Sequence, residues 1–356
     1  AVRTAHPQFH NQLFSGFSLA SFLGEVVGAL TNTTMSTFEA SPAGTLIEAE
    51  VLARLRGAVG GGSREWEEGG GILCTGGSNA NLLGMLCARQ RALPEIARGG
   101  LPAGVVPRAY VSEQSHYSYA KAARVLGIGS DNLVAVACDR EGRMRPDALE
   151  RALAADLRAG HRPFFLGATA GTTVLGAYDP LGPLADVAAA HGLWLHVDGS
   201  WGGSALLSAR HRGLLAGSER CDSFAWDAHK MLGATLACSA FLLRDAAALQ
   251  PATAAGEHDT EYLFHGGEDA ELDSGRISLQ CGRRVDALKL WLLWKRHGDE
   301  GLAARIDHLF ELADLARERV EHHPRLELVA RGQAPNVCFR WLPTDGRDPD
   351  AFTLAL

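Results

Sequence analysis

Short apolar runs alternate with helix-forming stretches between Gly71 and Leu243, and this alternation restricts the fold more than any other feature. Strand-like runs include Arg108–Val111, Pro163–Ala168 and Leu193–Asp198. Parallel strands need long crossover connections, which helices usually supply. The pattern therefore predicts an α/β fold, with a large, mostly parallel sheet covered by helices on both faces. Catalytic groups in such folds gather at strand ends and in the loops that follow them.

Composition and charge exclude several classes of protein. The chain has 356 residues, of which 46% are hydrophobic and 21% charged, as in globular proteins. Its net charge of −7 and the absence of a basic block argue against nucleic acid or an anionic membrane as a partner. No apolar run is long enough for a membrane span, and residues 1–7 lack the apolar core of a signal peptide.

Residue patterns also suggest a domain organisation and a compartment. We expect an N-terminal helical segment at 1–59, a large domain at 60–297 and the start of a small C-terminal domain at 298–356, cut short there. No two cysteines form a CxxC pair, which argues against a disulfide framework or a structural zinc site and favours a reducing cytoplasm. The seven scattered cysteines are Cys74, Cys87, Cys138, Cys221, Cys238, Cys281 and Cys338.

A glycine-rich turn joins a strand-like run to a helix at Thr75–Asn81. Glycines let a backbone approach an anion closely, and a helix N-terminus presents free N–H groups to it. Ser78 can add a hydroxyl. The alternative interpretation is an ordinary turn with a Ser or Asn helix cap.

Three further residues follow strand-like runs and have side chains suited to catalysis. Asp198 ends an apolar strand, where a buried acid needs a cationic partner. Lys230 lies beside the apolar pair Met231–Leu232, and desolvation of that kind lowers the pKa of a Schiff-base lysine. His116 can stack on a planar group. Taken singly, Asp198 could cap a turn, Lys230 could be a loop lysine, and His116 could be structural.

Together these motifs resemble the group II PLP-dependent decarboxylases, in the glutamate decarboxylase and cysteine sulfinate decarboxylase branch. The shared stretches occur in the family's order, and the spacing between Asp198 and Lys230 is also similar. They are His6-Pro7 with Asn11-Gln12-Leu13, Ser112–Ser118, Ala168–Thr173, His196-Val197-Asp198 with Trp201-Gly202-Gly203, His229-Lys230-Met231 and Gln280-Cys281-Gly282-Arg283.

The resemblance implies a fold, a cofactor and a set of roles. The fold is PLP-dependent fold type I, like aspartate aminotransferase, with active sites at the interface of a homodimer. Lys230 carries pyridoxal 5′-phosphate (PLP) as a Schiff base, Asp198 pairs with the pyridine nitrogen, and His116 stacks on the ring. Cofactor contacts are further implied for Gly77, Ser78, Thr173, Ser200, Asp227 and His229, and substrate contacts for Gln12 and Asn32.

The sequence departs from the family pattern at two places in the site. Asp227 stands where the family usually has Asn beside the phosphate, and an acid is unfavourable next to a dianion. The segment 265–272 corresponds to a mobile loop that often supplies a tyrosine to protonate the substrate. Here it is shorter and has no tyrosine, and His265 is a candidate replacement.

The leading functional hypothesis is α-decarboxylation of a small acidic L-amino acid, which the residues near Gln12 and Asn32 favour over the aromatic branch. The substrate would be glutamate, aspartate or cysteine sulfinate. One alternative is other PLP chemistry on the same fold, such as carbon–sulfur lysis, transamination or aldehyde formation. Another is a catalytically silent relative that acts as a dimer partner, which the expected shortness of the C-terminal domain favours.

Overall fold

The computed structural model describes residues 3–4, 6, 8–9, 13–14, 16–254, 260–265 and 269–354. Helices and strands alternate through most of this range, as predicted. The helices are α1 Leu19–Thr31, α2 Pro42–Gly60, α3 Arg64–Glu67, α4 Gly77–Ala92, α5 Ile96–Gly99, α6 Ser118–Val125, α7 Pro146–Arg158, α8 Leu181–His191, α9 Gln250–Thr253, α10 Ala287–Glu321 and α11 Pro349–Leu354. The strands are β1 Gly70–Cys74, β2 Pro107–Ser112, β3 Leu133–Val136, β4 Arg162–Thr169, β5 Trp194–Asp198, β6 Ser223–Asp227, β7 Ser239–Leu243, β8 Leu326–Ala330 and β9 Cys338–Trp341.

Within the described residues the main sheet has seven strands in the order β1-β7-β6-β5-β4-β2-β3. Strands β3, β2, β4, β5 and β6 run parallel, whereas β7 is antiparallel to both of its neighbours. Strand β1 therefore points the same way as β6. The predicted α/β class with a mostly parallel sheet is confirmed, and the carboxyl ends of β1, β2, β4, β5 and β6 share one edge.

Apolar side chains pack against both faces of this sheet. Helices α4 and α6 lie over one face, and α2, α7 and α8 lie over the other. Strand β5 is buried along its whole length, as a central parallel strand requires. None of the helices in the described ranges is long and apolar enough to cross a membrane.

The sequence pattern predicts two long helices, at 282–297 and 301–322, and the C-terminal part confirms two helical stretches. They form α10 and meet at a kink at Gly298, whose φ of 67° is not helical, and the first stretch begins at Ala287 rather than at residue 282. Just before this helix, Arg283 Nη1 donates to Glu48 Oε1 at 2.9 Å. Strands β8 and β9 form a separate antiparallel pair. The domain boundaries at 59 and 297 remain predictions.

Candidate active site

The shared edge of the parallel strands opens into a cavity of about 370 Å³. That size suits a small molecule. All nine residues for which cofactor contacts were expected line it, although five different segments of the chain supply them. They are Gly77, Ser78, His116, Thr173, Asp198, Ser200, Asp227, His229 and Lys230.

Asp198 lies at the base of the cavity, where β5 ends, and is 5% exposed. Its Oδ1 accepts from the Ser200 backbone N–H at 3.1 Å, and its Oδ2 accepts from Asn81 Nδ2 at 2.7 Å. Burial by itself would raise the pKa of the Asp198 carboxyl. The Lys230 ammonium and the hydrogen bonds from Ser200 and Asn81 outweigh burial and lower that pKa below its ordinary value. Asp198 is therefore an ionised acceptor set to pair with a cation.

The glycine-rich turn forms an open cradle at the start of α4. Gly76 is the N-cap residue and no side chain caps the helix, so the capping interpretation is wrong and the first N–H groups lack helical partners. A Cβ atom at Gly77 would collide with Ser200 Oγ and lie 2.9 Å from Asp227 Oδ2. Glycine is needed here because the cradle has no space for a side chain, and the helix N-terminus favours an anion.

Lys230 lies in the turn after β6 and its side chain is 24% exposed. Its Nζ is 2.9 Å from Asp227 Oδ2. Asp227 ends β6 and is 2% exposed, and its Oδ1 has no hydrogen-bond partner among the described residues. The primary amine of Lys230 therefore lies beside a buried carboxylate, and both residues line the cavity.

Two histidines face the same space. His229 is buried, with Nδ1 accepting from the Cys238 N–H at 3.2 Å and Nε2 lying 3.8 Å from Asp227 Oδ2. His116 is half-buried, follows β2, and packs against the Tyr117 ring with a centroid separation of 4.2 Å. Burial is the main cause that lowers the pKa of both imidazoles. Both are therefore mainly neutral at pH 7.

These residues fit PLP. The cofactor has an anionic phosphate, an aldehyde that reacts with a primary amine, and a ring nitrogen that binds a proton. The cradle at Gly77 offers N–H groups and space for the anion, Lys230 offers the amine, and Asp198 offers an ionised carboxylate at the cavity base. The carboxylate of Asp227 is the one group in this set that opposes the phosphate.

The structure does not bring every expected residue to the cavity. Asn32 is exposed at the C-terminal end of α1 and is not among the residues that line the cavity. Gln12 lies outside the described residues, as do 266–268 of the loop at 265–272. His265 is exposed, and Tyr262 is 81% exposed. The described chain therefore leaves the substrate side of the cavity without these groups.

Sequence reasoning missed Asn81, Thr169 and Trp201, all of which line the cavity. Asn81 is the most important because it donates directly to Asp198. The signal for Asn81 is its spacing: residues four apart on a helix share a face, so Gly77 in the cradle brings Asn81 to the same side.

Comparisons with known proteins agree with this geometry. A family model described as the pyridoxal-dependent decarboxylase conserved domain matches residues 1–342. Cysteine sulfinic acid decarboxylase of Mus musculus is 44% identical over 345 residues, which are 96% of this chain and 69% of the relative. Acidic amino acid decarboxylase GADL1 of Mus musculus is 41% identical over 352 residues, which are 98% of this chain and 62% of the relative.

A solved structure also superimposes closely on the chain. The crystal structure of mouse CSAD gives a TM-score of 0.92 at 43% identity, and the match covers 97% of this chain and 71% of that one. Likeness at this level extends over both the sheet that carries the cavity and the segments that line it. The expected fold type is therefore confirmed.

Proposed function

The chain belongs to the pyridoxal-dependent decarboxylase family, and on that premise we propose that it removes the α-carboxyl group of a small acidic L-amino acid. The candidates are glutamate, aspartate and cysteine sulfinate, as the names of the two sequence relatives suggest. The chain is a PLP-dependent amino-acid decarboxylase. The observation that best supports this chemistry is one cavity that holds the Lys230 amine, the Asp198 carboxylate and the cradle at Gly77.

We propose that Asp198 keeps a proton on the ring nitrogen of the cofactor. Its carboxylate is buried and ionised, so a protonated nitrogen is the cation that best satisfies it. When bound, PLP supplies a conjugated ring that accepts the electron pair left as CO2 departs. A proton held on the nitrogen makes that acceptance more favourable, since the positive charge stabilises the added electron density.

Other residues would hold and orient the cofactor. Lys230 would anchor it through Nζ, which protrudes into the cavity. The phosphate would lie at the start of α4, with N–H groups of the cradle and the ring of His229 as donors. His116 would cover one face of the ring. The remaining expected contacts are Ser78 at the phosphate and Thr173 and Ser200 along the ring.

We propose a homodimer whose second subunit completes the substrate side of the site. An acidic substrate has two anionic groups, yet no arginine is among the described residues that line the cavity. Helix α1 also exposes a row of apolar side chains on one face, which is typical of a protein interface. That row is Leu19, Leu23, Val27 and Leu30, with exposed fractions of 62%, 48%, 43% and 78%. Light scattering at micromolar concentration tests this, and a strictly monomeric, fully active protein would contradict it.

The state of the cysteine thiols supports a proposal about the compartment. All seven cysteines are free in the structure, and three of them are only partly buried. Accessible thiols persist where the surroundings are reducing, so we propose that the protein acts in the cytoplasm. Detection of intermolecular or intramolecular disulfides in protein isolated without reductant would contradict this placement.

One observation favours a second outcome of the same chemistry. The loop at 265–272 has no tyrosine, and neither His265 nor Tyr262 lines the cavity in the described chain. The α-carbon of the substrate must receive a proton to give the amine product. If no good donor reaches it, a larger share of turnovers ends with the proton elsewhere, as transamination coupled to decarboxylation. Mass spectrometry of the products measures the ratio of amine to aldehyde.

The proposed reaction is tested by CO2 release from a panel of amino acids, using full-length, PLP-loaded protein. We expect turnover of one or more of the three acidic substrates and little turnover of aromatic or basic ones. Lys230→Ala is the matched control and should be inactive on all of them. Turnover restricted to aromatic or basic amino acids would contradict the substrate class, and equal activity in the Lys230→Ala variant would contradict the mechanism.

A further inference from the structure

Behind Asp198 a chain of buried hydrogen bonds crosses from β5 to α4 and β6. Asn81 Nδ2 donates to Asp198 Oδ2 at 2.7 Å, and Asn81 Oδ1 lies 2.9 Å from His196 Nε2. His196 Nδ1 lies 2.8 Å from Ser223 Oγ, which is 2.8 Å from Trp194 Nε1. All five residues are 5% exposed or less. Water therefore has little access to substitute for a missing member.

Elementary chemistry and the neutral state of His196 together fix the direction of every bond in this chain. The indole nitrogen of Trp194 can only donate, and the ionised Asp198 can only accept. The amide nitrogen of Asn81 must face Asp198, which turns its oxygen toward His196 Nε2, so Nε2 carries a hydrogen. Because burial keeps His196 neutral, its Nδ1 has no hydrogen and accepts from Ser223 Oγ, which in turn accepts from Trp194. All donors in the chain therefore point toward Asp198.

Packing holds His196 in that state. Burial lowers the pKa of its imidazole to about 4, so the ring is neutral at physiological pH. Helix α4 approaches closely at Gly84, where a Cβ atom would lie 2.6 Å from His196 Nδ1. Residues two apart on a strand share a face, so His196 and Asp198 project toward α4 together. The remaining amide hydrogen of Asn81 donates to Ser118 Oγ at 2.9 Å.

We propose that His196 is a positioning residue, which acts through Asn81 to keep Asp198 an oriented, ionised acceptor for the protonated ring nitrogen of the cofactor. The proposal rests on the proposed function, since it concerns the same site. His196 is not among the residues that line the cavity and touches no reacting group. Its Nε2–H holds the Asn81 amide in the only orientation that donates to Asp198. Without that N–H the buried Asn81 oxygen has no donor, and only the donations to Asp198 and Ser118 hold the amide in place.

The test uses full-length protein loaded with PLP that carries an isotopic label at the ring nitrogen. The nitrogen NMR shift reports directly whether that atom holds a proton, and a titration gives the PLP dissociation constant. His196→Leu removes both ring nitrogens. His196→Gln keeps an N–H near the position of Nε2. Tyr119→Phe is the matched control, because Tyr119 is fully buried with its ring centroid 6.3 Å from that of His196.

The control is informative because the Tyr119 hydroxyl has no hydrogen-bond partner among the described residues and so lies outside the chain. We expect His196→Leu to shift the ring nitrogen toward its unprotonated position and to weaken PLP binding by up to about tenfold, since the hydrogen bond from Asn81 to the charged Asp198 loses its support. His196→Gln should restore most of both properties, and Tyr119→Phe should leave both unchanged.

Other outcomes would overturn the proposal. One is a His196→Leu variant that loses thermal stability but keeps the wild-type nitrogen shift. Another is a Tyr119→Phe variant that changes the shift as much as His196→Leu does. If His196→Leu does not fold, Ser223→Ala carries the same test, with a smaller expected change in the same direction and an unchanged shift as the overturning result. Wild-type protein that binds no PLP would instead contradict the proposed function.

Discussion

Two buried aspartates end neighbouring parallel strands, yet their surroundings differ. Asp198 ends β5 and has both oxygens hydrogen-bonded to neutral donors, at 3.1 and 2.7 Å. Asp227 ends β6, with Oδ2 2.9 Å from Lys230 Nζ and with no hydrogen-bond partner for Oδ1 among the described residues. Both oxygens of Asp198 therefore have hydrogen-bond donors within the protein, and only a cationic partner is missing. In Asp227, by contrast, one oxygen still lacks a hydrogen-bond donor among the described residues.

Because of this difference, the two ends of the cavity have separate roles. The end at Asp198 is set before any ligand arrives, because neutral donors orient the carboxylate and leave its charge for a cationic ring nitrogen. The end at Asp227 is a cradle suited to an anion, yet the cradle itself already contains the negative charge of Asp227. Binding of a phosphate there requires that the charge of Asp227 be neutralised or offset. We therefore expect substitution of Asp198 to reduce catalysis more than cofactor affinity, and substitution of Asp227 to change mainly cofactor affinity.

The largest effect is expected for Asp198→Asn. Asparagine is neutral and cannot hold a proton on the ring nitrogen, so kcat should fall by roughly 10²- to 10³-fold, as when one preorganised electrostatic group is lost. PLP binding should fall much less. Single-turnover CO2 release and a PLP titration on the same preparation measure the two effects. Equal losses in kcat and in PLP affinity would remove the distinction between the two ends.

The Asp227→Asn variant is expected to bind PLP about tenfold more tightly, because a carboxylate facing the phosphate is replaced by an amide. The wild-type affinity should also fall as pH rises, since His229 loses a proton that favours a bound anion. Burial lowers the pKa of His229, so its protonation helps only below the ordinary range of histidine. Asp227 partly offsets burial by raising the pKa of His229, so in the variant His229 gains its proton only at lower pH. Equilibrium dialysis between about pH 6 and pH 8 should therefore give a flatter profile in the variant. Weaker binding in Asp227→Asn would show instead that the phosphate end needs this acid.

A smaller effect is expected at His116, which belongs to the ring end but makes contact by stacking. Burial lowers the pKa of its imidazole, so under our proposal a neutral ring would cover the cofactor. His116→Ala should weaken PLP binding by about three- to tenfold, whereas His116→Phe should keep most of the affinity. Absorbance titrations of both variants check this. Equal losses in the two would indicate that the ring nitrogens of His116 matter and the stacking does not.

The smallest effect concerns stability beneath Asp198. The pKa of His196 is about 4 in the folded protein, against an ordinary value of 6.5. Since the folded pKa is depressed, the unfolded chain takes up a proton first as pH falls. The contribution of His196 to stability is thus present above about pH 6.5 and is lost progressively toward pH 4. His196→Gln should show a smaller drop in Tm between about pH 7 and pH 5 than wild type. Parallel Tm curves would contradict a neutral buried His196.

Much of this architecture could be predicted from the sequence. The alternation of apolar runs with helices predicted the sheet because β4 and β5 are central strands with little polar content. The reversed direction of β7 could not be predicted, since a strand buried on both faces has the same apolar run in either direction. Strand β8 was also missed. Its partly exposed residues, Leu326–Ala330, are too few and too mixed to give a clear period.

Some residues of the site could likewise be predicted from the sequence, and others could not. Residues next to motifs, such as Asp198, Lys230 and Gly77, were predicted because each has a local pattern and a resemblance to support it. Asn81 in α4 and His196 in β5 are in contact, although the two residues are 115 positions apart in the chain. Such contacts depend on helix packing over the sheet, which no local pattern encodes. The relation between His196 and Asp198 became visible only with the hydrogen-bond geometry.

Borohydride reduction of PLP-loaded protein, followed by peptide mass mapping, tests the central claim most directly. Reduction makes the bond between the cofactor and its amine permanent, so the label marks the residue that carries PLP. We expect one pyridoxyl group per chain, on Lys230, and none in the Lys230→Ala variant. A label on another lysine, or no label at saturating PLP, would contradict it.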